Sequence, residues 1–430
     1  MAPRTRTDRS GPARWGIAAG TVTALTTVAI GVSVTTGNTS TAPTTPSEEP
    51  QHPPTTTTAA RVTDGVPVGY SRTEPGAKAA AANFVIVRGS VGYLTSAPAR
   101  HRALAVMNAE GADRGTVTEA DKEADKAAKE LHGGAKKADS SQAISRTGVL
   151  SSRALAFDIH RAAIRLWTTT VRGNASSHSS PHLAFGSVTV NLTWEHGDWK
   201  TDSMTSGTGL VAPLSPQQAT NPAGDFSEYV RGKAKDPVLR RSTGAESLVD
   251  PYEHDAQGAA AAATNAVTLY GDPRFFTDTG WRHRMLRATA APSVLASVTN
   301  DADSTAQLVT ENRQLDADGR TADGGRLVTR TAVLATRVLS RSGQATSVEL
   351  WTASVGGVAG ADETADETER PQVAFQRMAV DLAWVNHTWK TMTVTQGQPL
   401  VPAPPAREQA SPASSFADVG GVSDASALAG

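Results

Sequence analysis

No cysteine occurs among the 430 residues. That excludes disulfides, thiolate metal sites and a cysteine nucleophile. Aromatic residues are scarce at 5%, and hydrophobic residues reach only 39%, a dilution that points to small cores surrounded by stretches unable to pack. Net charge is nearly absent, −1 at pH 7, so the chain as a whole has no field to attract nucleic acid, and no nucleic-acid partner is expected. The phosphate loop G-x-x-x-x-G-K-[ST], the nucleophile elbow G-x-S-x-G and the zinc motif H-E-x-x-H are all missing. No catalytic residue, metal site or cofactor is expected, and the chain is read as a non-enzyme.

What is present is a repeat. The run LAFGSVTVNLTWEHGDWK at 183–200 returns as VAFQRMAVDLAWVNHTWK at 373–390. Phe185, Leu192, Trp194, Trp199 and Lys200 come back as Phe375, Leu382, Trp384, Trp389 and Lys390, 190 positions on. Upstream, Gly76, Asn83 and Arg100-His101-Arg102 return as Gly258, Asn265 and Arg282-His283-Arg284 at an offset of 182. Arg146, Arg153 and Trp167 return as Arg330, Arg337 and Trp351 at 184. The offset changes only where loops are expected, the last step coinciding with the acidic insertion ADETADETER. Trp167, Trp194, Trp199, Trp351, Trp384 and Trp389 are thus the expected structural core of a fold used twice.

Residues 1–14 form a basic tail carrying Arg4, Arg6, Arg9 and Arg14. Residues 15–34 follow without a charge. At about 1.5 Å per residue they reach roughly 30 Å, a bilayer core. Basic residues before the span and none after it place the N-terminus in the cytoplasm and the rest outside. The reading is an uncleaved, single-pass anchor in the cell membrane, with a secreted product after signal cleavage as the alternative. The composition, rich in Ala, Arg, Thr, Gly and Val, is that of a GC-rich bacterium such as an actinomycete.

Residues 35–64, rich in Thr and Pro, read as a disordered stalk. The first repeat takes 65–216, a connector 217–254, the second repeat 255–404, and a disordered tail 405–430. Within the first repeat, Pro75-Gly76 opens an Ala-rich helix, further helices cover 97–107 and 118–131, and Thr118 with Asp121 has the spacing of a capping box. The period then changes from helical to alternating, giving strands near 144–157, 164–171, 183–194 and 199–204. Val188, Val190, Leu192 and Trp194 share one face of the third strand, and Gly197 sits in a tight hairpin turn.

Helices followed by an antiparallel meander define an α+β class with helices on one face of a curved sheet. This order, ending in a hairpin with W-x4-W, resembles the nuclear transport factor 2-like fold, with cystatin-like units as the nearest rival. The layout of basic tail, span, stalk and two such domains resembles the bitopic assembly factors of type IV secretion and conjugative transfer in Gram-positive bacteria. That resemblance implies a membrane-anchored extracytoplasmic scaffold acting by protein–protein contacts, with other subunits as partners and homo-oligomerisation open. The alternative is a tethered or secreted cone-fold protein with a cavity for small-molecule binding or lyase or isomerase chemistry.

Arg100, His101, Arg102, Arg282, His283 and Arg284 are the candidate interaction clusters, able to grip an acidic partner. The competing role is structural, with arginines paired to carboxylates. Asp158 and His160, two apart at a strand end, could transfer a proton in a cone. The corresponding Ser342 and Gln344 cannot, and an exposed strand end is the preferred reading.

Overall fold

The computed structural model describes residues 61–112, 115–131, 140–175, 180–219, 224–239, 252–360, 370–405 and 409–419. The anchor expected at 15–34 lies outside the described residues, as does most of the stalk. Among the described residues no helix is long and apolar enough to cross a membrane.

A short hairpin, β1 (Arg61–Thr63) and β2 (Val66–Val68), comes first. The stalk therefore ends earlier than its composition suggested, because Val62 pairs with Pro67 and Thr63 with Val66. Four helices follow: α1 (Glu74–Arg88), α2 (Val91–Thr95), α3 (Ala97–Met107) and α4 (Gly115–Leu131). Strands β3 (Ala143–Phe157), β4 (Arg161–Asn174), β5 (His182–Glu195) and β6 (Asp198–Thr208) make an antiparallel sheet in sequence order. After a short α5 (Pro216–Ala219) the pattern recurs with α6 (Ala256–Tyr270), α7 (Arg274–Thr277), α8 (Thr279–Thr289) and α9 (Leu295–Asn312). β7 (Arg326–Arg341), β8 (Ala345–Ala359), β9 (Gln372–Val385) and β10 (Thr388–Gln396) close a second antiparallel sheet. The protein is thus an α+β protein with antiparallel sheets.

Local chemistry sets these ends. Thr73 and Asp255 cap α1 and α6 by accepting the Gly76 and Gly258 amides, and Ser96 and Asp278 cap α3 and α8. Thr118 caps nothing, since α4 starts at Gly115. Its expected box partner Asp121 instead faces α3. Gly76 and Gly258 return for a steric reason: a Cβ at either would fall on the carbonyl oxygen of Ser71 or Glu253. Gly76→Ala or Gly258→Ala should therefore cost about 1–3 kcal/mol, read as a drop in the urea midpoint. An unchanged midpoint would show that the capping turn can move aside. In the tight hairpins, His196 and Gly197 (φ 53° and 77°) and Asn386 and His387 (φ 50° and 60°) are left-handed at both central positions, as a type I′ turn requires.

Alternation gives each sheet two buried faces. On β4, Ile164 and Leu166 face the helices, while Trp167 and Val171 face the other sheet. On β8, Val348 and Leu350 face α6, while Trp351, Ala353 and Val355 turn the other way. β3 lies against β7, and Gly148 is tight against Ala332 and Leu334 across the junction. One core therefore contains residues of both sheets, which helix-on-one-face reasoning did not anticipate.

The junction is reciprocal. Val373 N–H donates to Pro213 O at 2.8 Å and Leu183 N–H to Ala403 O at 2.9 Å, each exit segment bonding the other sheet. Beyond the exits, Phe226–Tyr229 and Ala413–Val419 form 3-10 turns. Phe226 packs on Trp351 and Phe416 on Trp167. Each turn is also held by a buried arginine of its own unit, Arg146 to Tyr229 O at 2.7 Å and Arg330 to Val419 O at 2.6 Å. Residues 224–239 of the connector, and 409–419, expected as disordered tail, are packed structure. A lone Phe among Ser, Ala and Asp has no local core to announce it, because its partner lies across the junction.

Candidate functional site

The helices and sheet of the first unit leave a cleft of about 390 Å³ open between them. Alternation on β4 puts Thr168, Thr170 and Arg172 along one wall, and α1 contributes Arg88 from its last turn. Tyr93 of α2 and Glu123, Lys126 and Glu130 of α4 join them, with Thr147 and Ser206. Val85, Leu94, Val188 and Met204 supply apolar wall.

Arg88 is engaged, with Nη2 2.8 Å from Glu123 Oε2 and Nη1 3.1 Å from Met204 Sδ. Arg172 is not fully engaged. Its Nη1 lies 3.6 Å from Glu130, beyond ordinary hydrogen-bond reach, and its buried Nε makes no hydrogen bond to a described residue. The Tyr93 hydroxyl, on a side chain only 5% exposed, likewise has no hydrogen-bond partner among the described residues. Burial raises the Tyr93 phenol above its ordinary value, opposed by Arg88 and Arg100, so it keeps its proton. Burial lowers Arg172 from its ordinary value, opposed by Glu130, and the guanidinium stays a cation.

The second unit fills the same place. Tyr270 stands where Arg88 is, its hydroxyl 2.9 Å from Thr289 Oγ1, and Phe275 stands where Tyr93 is, 5.2 Å from the Tyr270 ring. Gly356 replaces Arg172, and Met378 replaces Val188. A charged cleft in one unit is an aromatic packing in the other.

The residues singled out by sequence lie elsewhere. Arg100 and Arg282 are buried and bonded alike: Nη1 to the carbonyls of Tyr93 and Phe275, both at 2.9 Å, and Nε to Asp121 at 2.6 Å and Asp303 at 2.8 Å. His101 and His283 share those carboxylates. These four residues staple α3 to α4 and α8 to α9, so the two clusters are not open grips. Of the four cluster arginines, Arg102, 3.5 Å from Asp64, and Arg284 are exposed.

Trp199, Trp389, Trp167 and Trp351 are buried, with indole N–H groups donating to Ser71, Glu253, Leu210 and Leu400 carbonyls. Trp194 and Trp384 are half-buried and pack against the edge of the core. Arg72 lies 5.5 Å over Trp194, and His254 stacks at 4.0 Å on Trp384. Each ring packs edge-on against the neighbouring tryptophan of its hairpin. Asp198, at the hairpin turn, accepts the Gly69 and Tyr70 amides and ties the hairpin to the start of the unit.

Asp158 accepts the backbone amides of His160 and Arg161, which hold its carboxyl below the ordinary value, and the His160 ring meets Arg72 at 2.6 Å. The pair is a turn at the β3–β4 end. A shallower hollow of about 440 Å³ there includes Asp158 but not His160. Among the described residues no group of three or more His, Asp or Glu is placed to hold a metal ion.

Arg88, Tyr93 and Arg172 escaped sequence reasoning because it followed what the repeat keeps. Their signal is the reverse: charged or hydroxylated positions that the second copy replaces with Tyr270, Phe275 and Gly356.

The architecture defines a class, α+β proteins whose sheets each carry helices on one face. Residues 31–227 match the family model described as a domain of unknown function, DUF8175. No curated protein matches. Two solved structures show slight likeness. The intermembrane space region of the chloroplast protein ARC6 is 17% identical, covers 31% of this chain and 92% of its own, and gives a TM-score of 0.20. A protein described as Ntf2-like and involved in plasmid conjugation is 10% identical, covers 75% of this chain and 95% of its own, and gives 0.18.

Proposed function

We propose that the protein is a membrane-anchored extracytoplasmic scaffold of two nuclear transport factor 2-like units, working by protein–protein contacts in conjugative transfer or secretion. One observation carries the scaffold reading: the units are locked through a common core and present exposed apolar side chains at equivalent hairpin ends. Leu155 and Leu339 are 52% and 49% exposed. Two like contact points at a fixed separation suit an assembly part. The anchor and the transfer setting rest on the layout of charge and hydropathy before residue 65. A photo-crosslinker placed at Leu155 or Leu339 in cells of the source bacterium should give a discrete adduct with a second protein in the membrane fraction. A soluble product beginning after residue 34 would reject the anchor, and absence of adducts at both positions would reject the scaffold.

The open cleft favours a second reading, in which the first unit is a ligand-binding cone. Its footing is the pair of buried donors, Arg172 Nε–H and Tyr93 Oη–H.

A further inference from the structure

We infer that the cleft of the first unit binds a small amphiphilic carboxylate, whose anionic end is taken by Arg172 and Tyr93 and whose apolar body lies along Val85, Leu94 and Val188. The inference rests on the ligand-binding reading and gives it a chemical class.

Charge is graded from the rim inward. The rim carries two carboxylates and one ammonium: the Glu123 and Glu130 side chains are 62% and 55% exposed, and Lys126 is exposed beside them. The guanidinium side chains sit deeper, Arg88 at 19% and Arg172 at 33%. The two buried polar atoms of the cleft without a hydrogen bond to a described residue, Arg172 Nε and Tyr93 Oη, can both donate, and the first can only donate. A buried donor left unmade costs about 1–3 kcal/mol, so a ligand offering acceptor oxygens recovers what folding leaves unmade. A carboxylate does this with charge-assisted bonds. A doubly charged phosphate would bring a second negative charge past Glu123 and Glu130. An amine would meet Arg88 and Arg172 at depth.

Size and walls agree. The cleft volume of about 390 Å³ lies within the range of about 300–1,000 Å³ common for ligand pockets. Beside the two guanidiniums, Val85, Leu94 and Val188 line the cleft, and the non-ionic part of the ligand packs on them. In the second unit, Gly356 and Phe275 remove both donors and Tyr270 removes the second cation, so that unit offers no such site.

The test uses the purified full-length chain in non-ionic detergent, with 4-phenylbutyrate and its neutral isostere 4-phenylbutan-1-ol as probes in titration calorimetry. The carboxylate should bind at least about ten-fold more tightly than the alcohol. Arg172→Met should remove most of that preference for the carboxylate over the alcohol. Tyr93→Phe, which deletes only a hydroxyl, should lower carboxylate affinity several-fold with the fold intact. Equal binding of acid and alcohol, or carboxylate binding indifferent to both substitutions, would overturn the anionic class while leaving a ligand-binding cleft. No binding of either probe would overturn the cleft reading as well.

Discussion

Trp351→Ala is expected to destabilise both units together, in one transition. Trp351 is fully buried, and its indole N–H donates to Leu400 O at 3.0 Å. Its ring meets Phe226 at 5.6 Å, Tyr229 at 5.3 Å and Phe375 at 6.3 Å. Removing a buried tryptophan costs about 3–5 kcal/mol, and the orphaned carbonyl about 1 kcal/mol more. Typical domains have only about 5–15 kcal/mol in total. Phe226 and Tyr229 follow the first sheet in the chain, and Arg146 of that sheet holds the Tyr229 carbonyl. The cavity therefore loosens the first unit's exit segment as much as the second unit's sheet. Urea unfolding followed by far-UV circular dichroism and by tryptophan fluorescence should move to a lower midpoint with the two curves coincident. Two separated transitions, with the first unit unmoved, would show that the junction is not a shared core.

Asp303→Asn should cost about 2 kcal/mol, the worth of charge-assisted hydrogen bonds to Arg282, because the arginine stays buried without its counter-charge. Asp121→Asn should act in the same direction on Arg100, which is equally buried. Burial pushes the Asp303 carboxyl up, but hydrogen bonds and charges from Arg282 and His283 outweigh it and hold the group below its ordinary value of 3.8. Hydrogen bonds from Arg100 and then His101 hold Asp121 below 3.8 as well. A carboxyl depressed in the folded state adds stability that is complete above its unfolded value and lost as pH falls through its folded value. Stability should therefore decline on acidification from roughly pH 5 downward. The double variant Asp121→Asn, Asp303→Asn should start lower and decline less steeply through that window. An equally steep decline would place the acid sensitivity in other groups.

The elements were legible where chemistry is local. Ala97–Met107 was readable from its helical stretch, and the β5–β6 hairpin from strict alternation around a turn with Gly197. The arginine–histidine clusters were visible as repeated residues, and pairing to carboxylates was one expected role, but which carboxylates was not. Asp121 and Asp303, the carboxylates that neutralise them, sit among many helix-surface acids, and only three-dimensional position distinguishes them. Phe226 and Phe416 lie 190 positions apart, like the tryptophans, yet in stretches too poor in apolar residues to suggest burial. Their burial depends on the partner sheet, which periodicity within one segment cannot show. The cleft was hidden for the opposite reason, since its residues break the repeat.

The exchanged exit segments have a consequence for assembly. Each half of the chain offers what the other half needs: a strand edge at Leu183 or Val373, and a tryptophan to be covered by a distant phenylalanine. A half on its own leaves that edge and that ring uncovered, and a second copy of the same half offers nearly the same complement. Two whole chains can likewise trade halves, and the traded pair keeps every contact of the junction while differing only in which link of chain joins them. A chain closed on itself is favoured over such a traded pair by the high effective concentration of one half near the other, not by any contact unique to it.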